Sequence, residues 1–370
     1  MLDALPLNQI LHGDSLAILP TFPAESVDVI FADPPYNLQL KKALWRPNLT
    51  PVDAVDDNWD QFESFAAYDV FTQTWLAEAQ RILKPRSSIW ISGTYHNIHR
   101  IGTMMQDMGF WLLNTITWFK PNAMPNFNGQ RLKNDVEFLI WAKKSEDSRY
   151  TINYQLLKRF NDGKQSGAVW QIPICSPKER LRLPNGAKLH STQKPEELLR
   201  RVLLASARPN DIILDPFSGS GTTAAVAKAL HMRWIGIERE LTYITPSRER
   251  IEAVTPLPTE DEFMAVLHRQ KPANVKFSAL VRAGYLKAGE TLYLDKTDYQ
   301  AKVLANGKLS FNGVSGTIHS LSRELKNVPS CNGWKQWRYR DIETGELLFI
   351  DVLRERYRRN GAVVSSEVPT

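Results

Sequence analysis

The chain has 370 residues, 43% of them hydrophobic and 10% aromatic, enough apolar surface for a sizeable core and two domains, which excludes wholesale disorder. Its 46 Lys and Arg against 40 Asp and Glu give a formal charge of +6, a balance compatible with a polyanionic partner. No apolar run reaches the roughly 18 residues of a membrane span, no secretory leader pattern opens the chain, and the two cysteines, Cys175 and Cys331, exclude a disulfide framework and a four-cysteine zinc site; a cytoplasmic protein is expected.

Along the chain, residues 27–32, 88–91, 212–214 and 234–237 read as short buried strands closed by Asp, Gly or Glu. Helical patterns over 71–83 and 195–207 lie between some of them, and strands alternating with helices predict a parallel, doubly wound α/β sheet. Two stretches break this rhythm, 40–62, rich in Pro, Asn and Asp, and 120–134, a basic loop punctuated by Pro. Long loops in a compact domain are more often functional than decorative. Beyond Val254 the segment TPLPTEDE has linker composition, so a boundary is placed near residue 258. Residues 259–358 then form a smaller unit with short strands at 292–294, 302–304 and 317–321, a basic run over 354–359, and a frayed tail over 359–370.

The sharpest chemical signal is Asp33-Pro34-Pro35-Tyr36, at the C-terminal end of the strand over 27–32, where α/β folds place ligands. An exocyclic amine of adenine is a poor nucleophile because its lone pair is delocalised into the ring, so a catalyst must favour the pyramidal nitrogen of the transition state. The Asp33 carboxylate and the Pro34 carbonyl can each accept one N–H, Tyr36 can stack on an extruded base, and consecutive prolines stiffen the turn. By itself the tetrapeptide is equally a chance turn.

A second signal is Asp215-Pro216-Phe217-Ser218-Gly219-Ser220-Gly221-Thr222-Thr223, between the strand over 212–214 and a helical run over 224–230. Its glycines let the backbone approach a cofactor, and Glu238, at the end of the next strand, is spaced to accept from ribose hydroxyls. The alternative is an ordinary strand-to-helix turn. It lacks the Lys of a phosphate-binding loop, and the Asp, the Gly pair and the distal Glu together favour a nucleoside cofactor.

Together with His190-Ser191-Thr192-Gln193-Lys194-Pro195, these motifs resemble those of the S-adenosylmethionine-dependent amino-methyltransferases of DNA, in the permuted order of the beta group. FADPPYNLQL, VDDNWDQFESF, MPNFNGQRLKN and CNGWKQW further resemble the cell-cycle-regulated adenine-N6 methyltransferases of alphaproteobacteria, which modify GANTC, and the similarity runs over roughly residues 8–355. The resemblance implies a permuted Rossmann-like α/β methyltransferase domain followed by a small C-terminal α+β DNA-binding domain. S-adenosylmethionine as cofactor, double-stranded DNA as partner, a homodimer, and a bacterial cytoplasmic, nucleoid-associated enzyme are implied with it.

Position by position, Asp33, Pro34, Pro35 and Tyr36 match the target-adenine pocket. Phe217, Gly219, Gly221 and Thr222 match the lining of the cofactor's methionine part, in the motif opened by Asp215, and Glu238 its ribose contact. Thr192, Gln193 and Lys194 match the far wall of that pocket, and Asp14 is placed near the cofactor adenine. Asn37 and Leu38 extend the catalytic loop, and Trp59 matches a wall of the flipped-base site.

Target reading is expected in the loop over 120–137, where Asn122, Asn126, Asn128 and Gln130 offer amides to base edges while Arg131 and Lys133 meet phosphates. In the small unit, Asn332, Trp334, Lys335, Trp337 and Arg338 fit a surface that stacks unpaired bases and follows the backbone. Trp334 and Trp337, three apart, equally fit one core face.

The chain departs from the family at Ala123, at Asp135 and Val136, at Ser191, and at Lys41 and Lys42; none of these touches Asp33 to Tyr36, and those at 123–136 bear on the sequence recognised. His96 and His99 have no nearby acidic or Cys partner in sequence, so no metal is expected. Two rival readings are a different acceptor, cytosine N4 or an RNA adenine, and a non-enzymatic DNA-binding regulator on the same fold. Family members acting on cytosine N4 usually carry Ser at the position of Asp33, and a regulator has no need of intact Asp33, Tyr36, Gly219 and Gly221.

Overall fold

The computed structural model describes residues 5–38, 60–125, 130–258, 261, 264, 275–342 and 344–364, with side chains described up to 358. Trp59, Asn126 and Asn128 lie outside the described residues. The chain forms two compact units, Met1–Arg269 and Gln270–Thr370. This division falls beyond residue 258, because Met264 is still buried in the core of the first unit.

The first unit is built on eight strands: β1 (Gln9–His12), β2 (Val27–Ala32), β3 (Leu83–Gly93), β4 (Trp111–Phe119), β5 (Val136–Lys143), β6 (Val169–Gln171), β7 (Ile212–Asp215) and β8 (Arg233–Glu238). They lie in the order β1-β8-β7-β2-β3-β5-β4-β6. The first five in that order are mutually parallel, and β5 is antiparallel to both β3 and β4. Strand β2 is apolar on both faces, as a strand covered on both sides must be. Val29 and Phe31 join one core with Leu199 and Ile213, while Ile30 and Ala32 join the other with Trp75 and Ile89.

Helices α1 (Ser15–Ile18), α2 (Phe65–Ile82) and α3 (Ile98–Asp107) cover the second of these faces; α4 (Tyr154–Arg159), α5 (Glu196–Ser206), α6 (Thr222–Ala229) and α7 (Leu241–Glu252) cover the first. Helix α2 starts six residues before the position 71 its pattern predicts, because the Ser64 hydroxyl accepts the Ala67 N–H at 3.1 Å and caps it. It buries Tyr68, Thr72, Trp75, Leu76, Ala79 and Ile82, a helical stripe, and Leu83 already belongs to β3. Among the described residues no helix is long and apolar enough to cross a membrane.

The second unit carries a six-stranded sheet, β9 (Thr291–Leu294), β10 (Gln300–Val303), β11 (Leu309–Phe311), β12 (Val314–Gly316), β13 (Trp337–Arg340) and β14 (Leu347–Phe349), ordered β12-β11-β10-β9-β13-β14 with antiparallel pairing throughout. Helices α8 (Phe277–Arg282), α9 (Ile318–Lys326) and α10 (Ile350–Val364) accompany it. Residues 317–321 are not a strand: Thr317 and Ser320 form a capping box that starts α9, and Ile318 and Leu321, three apart, are its buried face. The expected tail from 359 onward is helical as far as Val364.

Candidate active site

Parallel strands deliver their C-terminal ends to one edge of the sheet, so β2, β7 and β8, which are neighbours, bring Asp33, the turn after Asp215 and Glu238 together. One cavity joins them, lined by Asp33, Pro34, Tyr36, Lys194, Phe217 and Glu238 among others. Two motifs 182 positions apart in sequence thus open into one space.

Asp33 has both carboxylate oxygens engaged. Tyr36 Oη donates to Oδ1 at 2.7 Å, and Lys194 Nζ donates to Oδ2 at 2.7 Å. The Lys194 ammonium also lies 5.2 Å from the centre of the Tyr36 ring. Burial alone lowers an ammonium's pKa, but the carboxylates of Asp33 and Glu137 outweigh it here and hold Lys194 above its ordinary value. The Tyr36 hydroxyl is enclosed by Asp33, by Ser92 Oγ at 3.1 Å and by Glu137 Oε2 at 3.4 Å. Burial, and then the two carboxylates, raise that phenol well above its usual value, so it acts as a donor.

The loop from Asp33 to Leu38 is fixed from two sides. Asp60 accepts three successive backbone N–H groups, those of Tyr36, of Asn37 at 2.8 Å and of Leu38 at 3.0 Å. From α2, Tyr68 Oη donates to the Pro35 carbonyl at 3.0 Å, and Asn97 Nδ2 in turn donates to Tyr68 Oη at 3.2 Å. Asn37, expected at the DNA, is buried at 4% exposure with a left-handed backbone (φ 53°), and among the described residues its side-chain amide has no partner.

On the glycine side, Gly219 and Gly221 have φ of +51° and +70°, a region that favours glycine. A Cβ on Gly219 would stand 3.1 Å from His190 Nε2, and one on Gly221 equally close to Ser247 and Ile251 of α7. The Gly219 N–H donates to Glu238 Oε2 and the Glu240 N–H to Oε1, both at 2.7 Å, so Glu238 shapes the turn as well as facing the cavity. Thr222 Oγ1 donates to the Lys194 carbonyl at 3.3 Å, joining the glycine turn to the segment after His190. Asp14, also at the cavity, caps α1 by accepting the Leu16 N–H. Thr192 lines the cavity, and the Gln193 amide is spent on the backbone of Glu179 and Leu181.

Asp215 accepts the Phe217 N–H at 3.0 Å and the Thr223 hydroxyl at 2.5 Å, yet burial dominates and pushes its carboxyl up to about 7. With the folded-state value above the unfolded one near 3.9, the native state keeps between about pH 4 and 7 a proton that the unfolded state has lost. The stability this gives is complete below about pH 4 and is lost as pH rises through about 7, a range worth on the order of 4 kcal/mol. Thermal unfolding of wild type against Asp215→Asn should therefore show wild type losing ground between pH 5 and 8; parallel curves would contradict it.

In the loop over 120–137, Gln130, Arg131 and Lys133 are exposed, and Asn122 Oδ1 already accepts the Ile174 N–H at 2.9 Å. In the second unit the expected base-stacking surface is not formed by its tryptophans. Trp334 is 6% and Trp337 0% exposed, both in the core, where the Trp337 indole donates to the Ile318 carbonyl at 3.0 Å. Asn332 caps the following turn through the Trp334 N–H, and Arg338 pairs with Asp295 at 2.8 Å; Lys335 is exposed. An i, i+3 apolar pair is a core signature before it is a stacking platform, and here the core reading holds.

Asp60, Tyr68, Lys120 and Glu137 were not singled out as site residues by the sequence. Only the bracketing of a long loop by Lys120 and Glu137 pointed to that pair. Among the described residues no group of three His, Cys, Asp or Glu side chains is placed to hold a metal.

Residues 27–249 match a family model described as DNA methylase, and residues 263–362 match one described as Restriction Enzyme Adenine Methylase Associated. The chain is 42% identical over 351 residues to Type II methyltransferase M.HinfI of Haemophilus influenzae, covering 95% of this chain and 97% of that one. It is 40% identical over 243 residues to Type II methyltransferase M2.LlaDCHI of Lactococcus lactis subsp. cremoris, covering 65% of this chain and 88% of that one. Among solved structures, the cytosine-N4-specific PvuII DNA methyltransferase covers 71% of this chain and 94% of its own at a TM-score of 0.51 and 22% identity, a likeness of fold.

Proposed function

We propose, from the premise that this chain belongs to the DNA methylase family, that it transfers the methyl group of S-adenosylmethionine to N6 of adenine in double-stranded DNA, at GANTC. The observation that carries this reading is the Asp33 carboxylate opening into the same cavity as the Gly219 turn. The residues present fit the cofactor. Phe217 and Tyr243 offer aromatic surface, Asp14 and Glu238 offer acceptors for hydroxyls, and Ser218 Oγ is buried without a partner among the described residues. When bound, S-adenosylmethionine supplies an electrophilic methyl on a positively charged sulfonium.

The chain's own residues then position the acceptor. Asp33 and the Pro34 carbonyl accept the two amine hydrogens and turn the nitrogen lone pair toward the donor, a geometry that gains strength only as the nitrogen becomes pyramidal. Tyr36 holds the carboxylate by its hydroxyl and stacks the flipped base on its ring. Lys194 balances the charge of Asp33, so Asp33 orients the amine rather than removing its proton in advance. Adenine is favoured over cytosine by Asp in place of Ser at position 33 and by the match of residues 263–362 to a family associated with adenine methylases.

The loop over 120–137 reads the target, with Arg131 and Lys133 on phosphates, and the second unit engages DNA through exposed cations such as Lys335. Following the resemblance, the enzyme works as a homodimer in the bacterial cytoplasm, on the nucleoid. The test is incubation with labelled S-adenosylmethionine and an unmethylated duplex library, then nucleoside mass analysis and methylation-resolved sequencing. N6-methyladenine confined to GANTC is expected. N4-methylcytosine would overturn the acceptor, another context the target, and DNA binding without methyl transfer the activity itself.

A further inference from the structure

The two ends of the 120–137 loop are clasped by a buried ion pair. Lys120 follows β4, Glu137 is the second residue of β5, and these antiparallel neighbours carry the loop between them. Lys120 Nζ lies 2.9 Å from Glu137 Oε1, with side chains 8% and 15% exposed, and the Lys120 N–H donates to the Asp135 carbonyl at 2.7 Å. Because Phe138 pairs with Gly93 at the end of β3, next to β2, this clasp springs from the sheet edge that bears Asp33.

The second oxygen of Glu137 faces the other way. Oε2 lies 3.4 Å from the Tyr36 hydroxyl and 3.8 Å from Lys194 Nζ, the two groups that hold the Asp33 carboxylate. Two ammoniums and two carboxylates therefore form one neutral, largely buried row, Lys120, Glu137, Lys194 and Asp33, running from the base of the loop to the reacting end of the cavity. In such a row no member moves without leaving a buried charge exposed to its neighbour.

We propose that Glu137 is a positioning residue that couples the seating of the target-reading loop to the alignment of Asp33, so that sequence discrimination is expressed in kcat as well as in binding. This rests on the adenine-methyltransferase reading above. A loop seated on the correct sequence keeps Lys120 on Oε1 and leaves Oε2 to hold the Lys194 ammonium beside the Tyr36 hydroxyl, whose one proton goes to Asp33 Oδ1. A loop strained by a wrong base pair pulls on Lys120, draws Glu137 with it, and disturbs both groups that orient Asp33.

The experiment compares wild type, Glu137→Gln, Lys120→Met and the double variant on two duplexes, the site found for the wild type and the same duplex with one base pair changed. Single-turnover methyl transfer gives kcat, and titration gives DNA affinity. In each single variant the ratio of kcat between the two duplexes should shrink by about tenfold or more, the worth of one charged hydrogen bond, while DNA affinity changes by less than about threefold. The double variant should fall no further than Glu137→Gln, because both changes break one link. Equal falls on both duplexes, as a merely structural role would give, or an unchanged ratio would overturn the coupling alone. A wild type that transfers no methyl group to DNA would overturn the underlying reading, and the coupling with it.

Discussion

Replacing Asp33 with alanine is expected to cut methyl transfer by about a thousandfold or more while leaving DNA affinity close to that of wild type. The side chain is where the Tyr36 hydroxyl and the Lys194 ammonium converge, so its loss removes the amine's acceptor and releases both groups that were aimed by it. Alanine also strands the buried Lys194 ammonium, whose remaining counter-charges, Glu137 at 3.8 Å and the buried Asp215, are less directly placed. Asp33→Asn removes the charge but keeps the volume and one oxygen that can accept from Lys194. It should fold and bind DNA as wild type does and still fail in transfer. Labelled-methyl incorporation beside an electrophoretic binding assay gives both quantities, and methyl transfer by Asp33→Ala within tenfold of wild type would remove Asp33 from the chemistry.

The second large effect belongs to the C-terminal unit. Trp337→Ala should destabilise that unit by about 3–5 kcal/mol, the range for deleting a buried aromatic side chain. It deletes a fully buried indole, its hydrogen bond to the Ile318 carbonyl, and packing in a core shared with Leu292, Leu294 and Trp334. Lys335→Ala, two positions away but exposed, should leave stability unchanged and weaken DNA binding modestly. Thermal unfolding and limited proteolysis of the full chain distinguish the two residues. A Trp337→Ala protein with wild-type melting and impaired DNA binding would restore the stacking role that the burial of Trp337 contradicts.

The difference between Trp337 and Asp33 shows what the sequence makes legible. Asp33 is readable because it closes a strand that is apolar apart from Asp28 near its start, and a strand buried on both faces has its end at a ligand-bearing edge. Gly219 and Gly221 are readable for a related reason, since their positive φ and tight neighbours require glycine. Trp337 carries a side chain suited to either a core or a stacked base, and only the register that pairs it with Leu294 settles the matter. Thr317 was legible in principle, but its capping partner is Ser320 where Glu or Gln is the stronger signal, and the short apolar spacing imitates a strand. Asp60 and Glu137 act across 24 and 101 positions on Tyr36, through contacts that no local pattern encodes.

The grip of Asp60 has a consequence for how this fold tolerates change. Its carboxylate binds the backbone of Tyr36, Asn37 and Leu38, so the chain leaves the reactive loop at Leu38 and is tied back to it at residue 60. One side chain thus fixes the shape of the reactive loop, so Asp60→Ala would strand three backbone N–H groups at once and let the Tyr36 ring drift from its seat while the sequence from Asp33 to Leu38 stays unaltered.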